Sequence, residues 1–473
     1  MGKASASPAR QVSLVSLVGV TFFIVCGGTY GLEEAVHQAG AWWTLVLVVA
    51  IPFLWSVPIS LMVAELATLM PEEGGYYAWV SSELGPFWGS QAGWWALCAS
   101  VVDMALYPVL FVHYLSHLVS PLCSSSAAAR WAVAAGMIAV ALALNLRGAR
   151  TVGRNAVLGL ALVLGPLLAF SAIVAWQHNL FDTAAAILRS PPESLTFLSL
   201  AAGLSIVMWN YMGWDSPSTL AAEVENPQRN YPRALALVAI LTVSVYLVPL
   251  LAGLTLYPHQ AGWSEWTVWP NLGKQAGGAS LALAIAIAGL FAQWSLFNSN
   301  LLYASRIPHA MARDGWLPAV LSRTTARGAA PAATLCVLAA AAAALAVWPF
   351  EKLVVIDVLI YSAVLALEFA VLIRLRWKAP RTSRPFKVPG GWPGIAAVTV
   401  APALCAGVLV FATFAPGADG AAADSGATAP VSSCAPPRGE PETHLQVGLL
   451  LAVVASGLGL YFLRRRKVRR SDE

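Results

Sequence analysis

Residues 13–36 read SLVSLVGVTFFIVCGGTYGLEEAV, an apolar run long enough to span a membrane but interrupted midway by Cys-Gly-Gly-Thr-Tyr-Gly (Cys26 to Gly31). Three glycines fall within five positions there, and each costs up to about 1 kcal/mol relative to alanine in a helix interior. A second apolar stretch carries WNYMGWDSPS (Trp209 to Ser218), with Asn, Gly, Asp and Pro in close succession. Pro217 has no backbone N–H to donate, and Ser216 before it reads as the cap of a helix that restarts there. Both helices are expected to unwind near mid-membrane. Broken backbone at that depth is tolerated only where it lines a cavity or lies buried in protein. Packing kinks are the plainer alternative, because Gly and Pro are common in spans. Two breaks, five helices apart and both beside acids, favour a binding site between the halves of an inverted repeat.

The rest of the chain suits that reading. Of 473 residues, 58% are hydrophobic and 11% charged, with a mean hydropathy of +0.68, whereas soluble domains carry roughly a quarter charged residues. A soluble globular enzyme is excluded on that ground, and an all-α polytopic membrane protein is expected. The net charge of +5 is scattered among apolar runs, which argues against a nucleic-acid stripe. Six cysteines without a CxxC pair or a Cys/His cluster indicate neither a metal site nor a disulfide framework. There is no P-loop, nucleophile elbow or H-E-x-x-H motif, so an enzyme and an ATP-driven pump are disfavoured and no cofactor is expected. The first apolar run lacks a cleavage site and is expected to remain as a span.

A spanning helix needs about 20 mostly apolar residues. Cutting at the polar breaks leaves twelve candidates, at 13–36, 42–69, 87–118, 130–146, 154–176, 196–222, 233–257, 279–303, 331–348, 353–374, 394–414 and 445–463. Lys and Arg are retained on the cytoplasmic side. With residues 1–12 inside and the spans alternating, only Arg130, Arg189, Lys274, Lys352 and Arg438 of the 28 basic residues fall outside. An even span count with both termini cytoplasmic follows, the basic tail 464–473 locking the last helix. Residues 415–444, rich in Ala, Gly, Pro and Ser, read as a flexible external loop.

At the two breaks the chain resembles the amino acid-polyamine-organocation superfamily, and within it the plant and protozoan polyamine and amino acid uptake transporters. The resemblance rests on an ordered set: GGTYGLEEAV (Gly27 to Val36), AELATLMPEEGGYYAWV (Ala64 to Val80), DMALYPVLF from Asp103, Trp214-Asp215 with TLAAEVENP (Thr219 to Pro227), and RPFKVP (Arg384 to Pro389). It covers the whole chain apart from the loop before the last helix. The resemblance implies twelve helices in a LeuT-like fold: two five-helix inverted repeats (13–176 and 196–374), two further helices (394–463), and alternating access commonly driven by protons. Thr29 departs from the branch's usual Pro, and Pro217 stands where plant relatives often carry Lys. No Lys lies between Val157 and Trp176, where some relatives place one in lieu of sodium.

The unwound backbone of Gly27, Gly28, Thr29 and Gly31 offers free N–H groups to a substrate carboxylate beside the positive end of the next half-helix. Thr29 is alternatively the cap of that half-helix. A carboxylate at the bilayer centre costs about 2.5 to 3.5 kcal/mol even on the mild insertion scale, which singles out Glu33, Glu34, Asp103 and Asp215. Adjacent on a helix, Glu33 and Glu34 lie roughly 100° apart, so at most one is expected to face a pocket. Glu33, Asp103 and Asp215 are taken as substrate contacts; Glu34, Asp215 and Glu368 are the proton-coupling candidates. Glu65 reads as a structural partner for Arg229 or Arg306, and Asp357 as a further acid on helix ten. Tyr30, Tyr107, Trp209 and Trp214 are placed to bind ammonium groups through their faces, with Asn210 and Gly213 in the break. Gln293, Asn298 and Asn300 give helix eight a polar face, for the site or for helix packing.

The function expected is a secondary active transporter, a proton-coupled symporter in a cell membrane that imports amino acids. Uptake of polyamines such as putrescine or spermidine is the alternative, and a passive channel or transporter-like sensor is the alternative of another class.

Overall fold

The structure is a computed structural model and describes residues 12–72, 74–119, 122, 125–192, 194–258, 263, 268–323, 332–345, 350–414 and 443–472. Helix α1 (Leu14–Val25) begins at Ser13, whose hydroxyl accepts the Ser16 N–H at 3.3 Å. It stops at the glycine-rich break. Gly28 and Gly31 adopt φ of 94° and 105°, a region open to glycine at no steric cost, and the chain re-enters a helix as α2 (Leu32–Ile51). The cap position of α2 is Gly31, not Thr29, whose hydroxyl is buried without a hydrogen-bond partner among the described residues. Gly40, with φ 71°, kinks α2, and a π-helical turn at Pro52–Ser56 carries it into α3 (Val57–Leu69).

Helices α4 (Tyr76–Leu84), α5 (Pro86–Leu118), α6 (Ala127–Asn145) and α7 (Ala149–Gln177) follow. Short α8 (Leu180–Arg189), between the candidate spans 154–176 and 196–222, buries none of its residues and is a surface helix. Helix α9 (Phe197–Asn210) runs into the second break, where Gly213 takes φ 85°. The backbone restarts there as a 3-10 helix at Ser216–Glu223. Its cap position is Asp215, one residue earlier than expected; no side-chain capping bond forms there, and the Asp215 carboxylate accepts from Tyr361. The chain closes with α10 (Pro227–Leu256), α11 (Val268–Ala304, kinked at Gly277 and Gly278), α12 (Arg306–Arg313), α13 (Ala332–Leu345), α14 (Phe350–Lys378), α15 (Gly391–Phe414) and α16 (Thr443–Asp472).

Among the described residues, nine helical segments are long and apolar enough to cross a membrane. Leu14–Val25, Phe197–Asn210 and Thr334–Ala344 are shorter apolar helices, the first two cut short by the breaks. In the packing, α1 lies among α7, α10 and α11, α9 runs along α2, and α5 is held between α11 and α14. Both breaks therefore meet at the centre of the bundle.

Charged residues pin the ends of the helices. Glu65 does not pair with Arg229 or Arg306 as expected. It receives a two-pronged bond from Arg376, with a further contact from Arg384 at 2.9 Å and the Val388 N–H at 2.7 Å, because the RPFKVP segment folds back under α14. Arg306 instead contacts Glu223 at 2.9 Å. Beside that pair Val12 bridges to Val224, its N–H reaching the Glu223 carbonyl at 3.1 Å and its carbonyl accepting from Glu225 at 3.0 Å. Arg464 of the basic tail caps the Trp316 ring, 3.8 Å from its centroid. Residues 1–11, Cys123, Cys434 and residues 415–442 of the expected loop lie outside the described residues, as do the tail's side chains from Arg466 on.

Candidate functional site

The two breaks wall a cavity of about 50 Å³, room for roughly four water molecules. Its walls come from the end of α1 and the first break, α5, the end of α9 and the second break, α10, α11 and α14, with Tyr76 at the start of α4. Among the described residues three carboxylates face it, Asp103 on α5, Asp215 in the second break and Asp357 on α14, and no Lys or Arg lines it.

Each acid is held differently. Asp103 accepts the Tyr107 hydroxyl at 2.8 and 2.7 Å through its two oxygens, and the Trp209 indole N–H at 3.2 Å. Tyr107 in turn accepts from the Asn300 side chain at 3.2 Å. Asp215 accepts the Tyr361 hydroxyl at 2.5 Å, and the same hydroxyl accepts the Gly213 N–H at 3.2 Å. Tyr361 thus fastens α14 to the left-handed turn of the second break. Asp357 is 1% exposed, and its Oδ2 has no hydrogen-bond partner among the described residues. Below the cavity the Glu368 carboxyl is wholly buried beside Asp215, and neither of its oxygens has a well-formed hydrogen bond among the described residues.

The remaining surface is aromatic. Tyr30, Tyr76, Tyr107, Tyr246, Tyr303, Tyr361 and Trp209 all line it, and the Tyr107 and Trp209 rings lie 6.3 Å apart, tilted by 30°. Such faces attract ammonium groups, each contact contributing about 0.5 to 2 kcal/mol.

Of the residues singled out in the sequence, Gly27, Tyr30, Asp103, Tyr107, Trp209, Asn210, Gly213 and Asp215 line the cavity. Gly28, Thr29, Gly31, Glu33, Trp214, Gln293, Asn298, Glu34 and Glu368 do not. Glu33 is turned the other way: its Oε2 accepts the Gly31 N–H at 2.7 Å and the Trp269 indole N–H at 2.8 Å, and its Oε1 the Tyr114 hydroxyl at 3.4 Å. It therefore clamps the first break from behind. Glu34 binds the Gln38 side chain at 2.6 Å, Asn298 accepts from Asn145 at 2.8 Å, and the Trp214 indole donates to the Tyr211 carbonyl at 2.9 Å. The Gly31 N–H is thus already engaged. Those of Gly27, Thr29 and Tyr30 have no acceptor among the described residues.

Sequence reasoning missed Tyr76, Tyr246, Tyr303 and Tyr361 and assigned Asp357 no contact. The one signal available was the four-residue spacing of Asp357 and Tyr361, which puts both on one face of α14.

Comparison with known proteins gives the family. The amino acid permease family model matches residues 13–431. Polyamine transporter PUT1 of Oryza sativa subsp. japonica is 35% identical over 415 residues, which cover 86% of this chain and 75% of PUT1. Polyamine transporter RMV1 of Arabidopsis thaliana is 32% identical over 418 residues, 86% of this chain and 83% of its own. Branched-chain amino acid permease BcaP of Lactococcus lactis subsp. cremoris is 28% identical over 297 residues, 57% of this chain and 61% of BcaP. Among solved structures, MhsT in complex with L-phenylalanine superimposes with a TM-score of 0.65 at 14% identity, covering 87% of this chain and 100% of MhsT. The fold is thus the LeuT-like one of MhsT, and the chain is a multi-pass membrane protein that belongs to the amino acid permease family.

Proposed function

We propose that the protein is a proton-coupled secondary transporter that imports cationic amines of the polyamine class by alternating access. The observation that carries this reading is the cavity with three carboxylates, an aromatic wall and, among the described residues, no basic side chain. An amine brings the positive charge these acids lack, and its ammonium groups suit both carboxylates and tyrosine faces. The amino acid permease family and the likeness to PUT1 and RMV1 support it.

In this reading the nine long and three shorter apolar helices make twelve spans. Residues 13–176 and 196–374 are inverted repeats related about the two breaks, residues 394–463 add two further spans, and both termini are cytoplasmic. The Arg306–Glu223 contact and the Val12–Val224 bridge then close the cytoplasmic end, and opening that end releases the substrate. Asp215 and Glu368, buried side by side, share the coupled proton, since two carboxylates in one dry site do not both ionise.

A second reading is uptake of amino acids, which the sequence put first. It is favoured by the unengaged N–H groups of Gly27, Thr29 and Tyr30, which suit a carboxylate. The test is thermal stabilisation of the purified protein by putrescine, spermidine and a panel of amino acids. Stabilisation by amines lacking a carboxylate supports the first reading; stabilisation by α-amino acids alone replaces it with the second.

A further inference from the structure

We infer that Asp357 is the residue by which the cavity selects substrates with two or more ammonium groups over those with one. This rests on the reading of the cavity as an amine site. Asp103 and Asp215 already accept protein donors, from Tyr107 and Trp209 in one case and Tyr361 in the other. Asp357 faces the same space with an oxygen that receives nothing, at 1% exposure. A buried carboxylate oxygen without a donor calls for one from the ligand.

Geometry gives that ligand two ends. Asp103 and Asp357 stand on α5 and α14, helices packed side by side, and both line the cavity. A monoamine pairs with one carboxylate and leaves the other without a cation. A diamine pairs an ammonium with each, its methylene chain lying in the cavity that Tyr107 and Tyr303 also line. An α-amino acid with a neutral side chain likewise brings a single ammonium, enough for only one of the two carboxylates.

The test uses the full-length protein in detergent, with putrescine and n-butylamine as probes, the two differing by one ammonium group on the same four-carbon chain. The wild type is expected to bind putrescine roughly ten- to a hundredfold more tightly than n-butylamine, the range of one charge-assisted hydrogen bond. Asp357→Asn is expected to erase that preference, bringing the two affinities together, because one fewer carboxylate is left to pair a second ammonium. Asp357→Ser, smaller and also neutral, repeats the measurement if the Asn variant is not recovered folded. A putrescine preference that persists in the folded variants overturns the assignment. Wild-type protein that binds both amines equally also overturns it while leaving the amine reading standing; protein that binds neither removes both.

Discussion

Glu33 separates a ligand contact from a structural clamp, and the two readings predict opposite results. Its Oε2 accepts two buried donors, the Gly31 N–H and the Trp269 indole N–H, and its Oε1 faces the Tyr114 hydroxyl. Glu33→Leu strands both N–H groups in a site that is 1% exposed at residue 33. At about 1 to 3 kcal/mol for each buried unsatisfied donor, the cost is about 2 to 6 kcal/mol. Glu33→Gln keeps a carbonyl oxygen for the same two donors, and its amide can donate to Tyr114, which accepts as readily as it donates. Only the charge assistance is lost, about 1 kcal/mol per bond. Melting of the purified variants should therefore rank wild type, Gln, Leu, and the putrescine Kd of the folded Gln variant should stay at the wild-type value because residue 33 does not line the cavity. A Gln variant that melts like wild type yet no longer binds putrescine would refute the reasoning.

Three further outcomes follow from the same geometry. Glu65→Gln unpairs two buried guanidinium groups, those of Arg376 and Arg384, and should destabilise the protein by about 3 to 5 kcal/mol; unfolding measurements that match wild type contradict this. A Cβ added at Gly27 would lie 2.3 Å from Leu296 Cδ1, so Gly27→Ala should cost about 1 to 3 kcal/mol by overpacking. The companion change Leu296→Ala should cost less stability in the Gly27→Ala background than in the wild type, and strictly additive losses would show that the glycine serves something other than close approach. Glu368→Gln should abolish uptake driven by an imposed pH gradient in proteoliposomes while leaving exchange of internal for external putrescine intact; gradient-driven uptake at the wild-type rate removes Glu368 from the proton path.

The breaks were legible because their causes are local. Glycines that take φ of 94°, 105° and 85°, and a proline that cannot extend a helix, act on their own neighbours, and an acid within an apolar run stands out wherever it is. That sufficed for Asp103 and Asp215. What could not be read was direction and distance along the chain. Glu33 and Glu34 are adjacent acids in the same turn, and only the packing of Trp269 and Tyr114 against the break turns Glu33 away from the cavity. The tyrosine wall is gathered from α4, α10, α11 and α14, where each tyrosine looks like an ordinary packing residue until the helices are set in register. Glu65 finds its partners in Arg376 and in Arg384 of RPFKVP, a segment far along the chain that folds back beneath α14. That return depends on tertiary packing and has no periodic signal.

The central claim is a carrier whose acidic cavity holds an amine, and counterflow tests it most directly. Proteoliposomes loaded with unlabelled putrescine should accumulate labelled putrescine transiently, and Asp103→Asn, in protein of unchanged melting behaviour, should abolish the accumulation. Labelled putrescine that enters at the same rate with or without internal putrescine, or counterflow that amino acids alone support, would contradict the account.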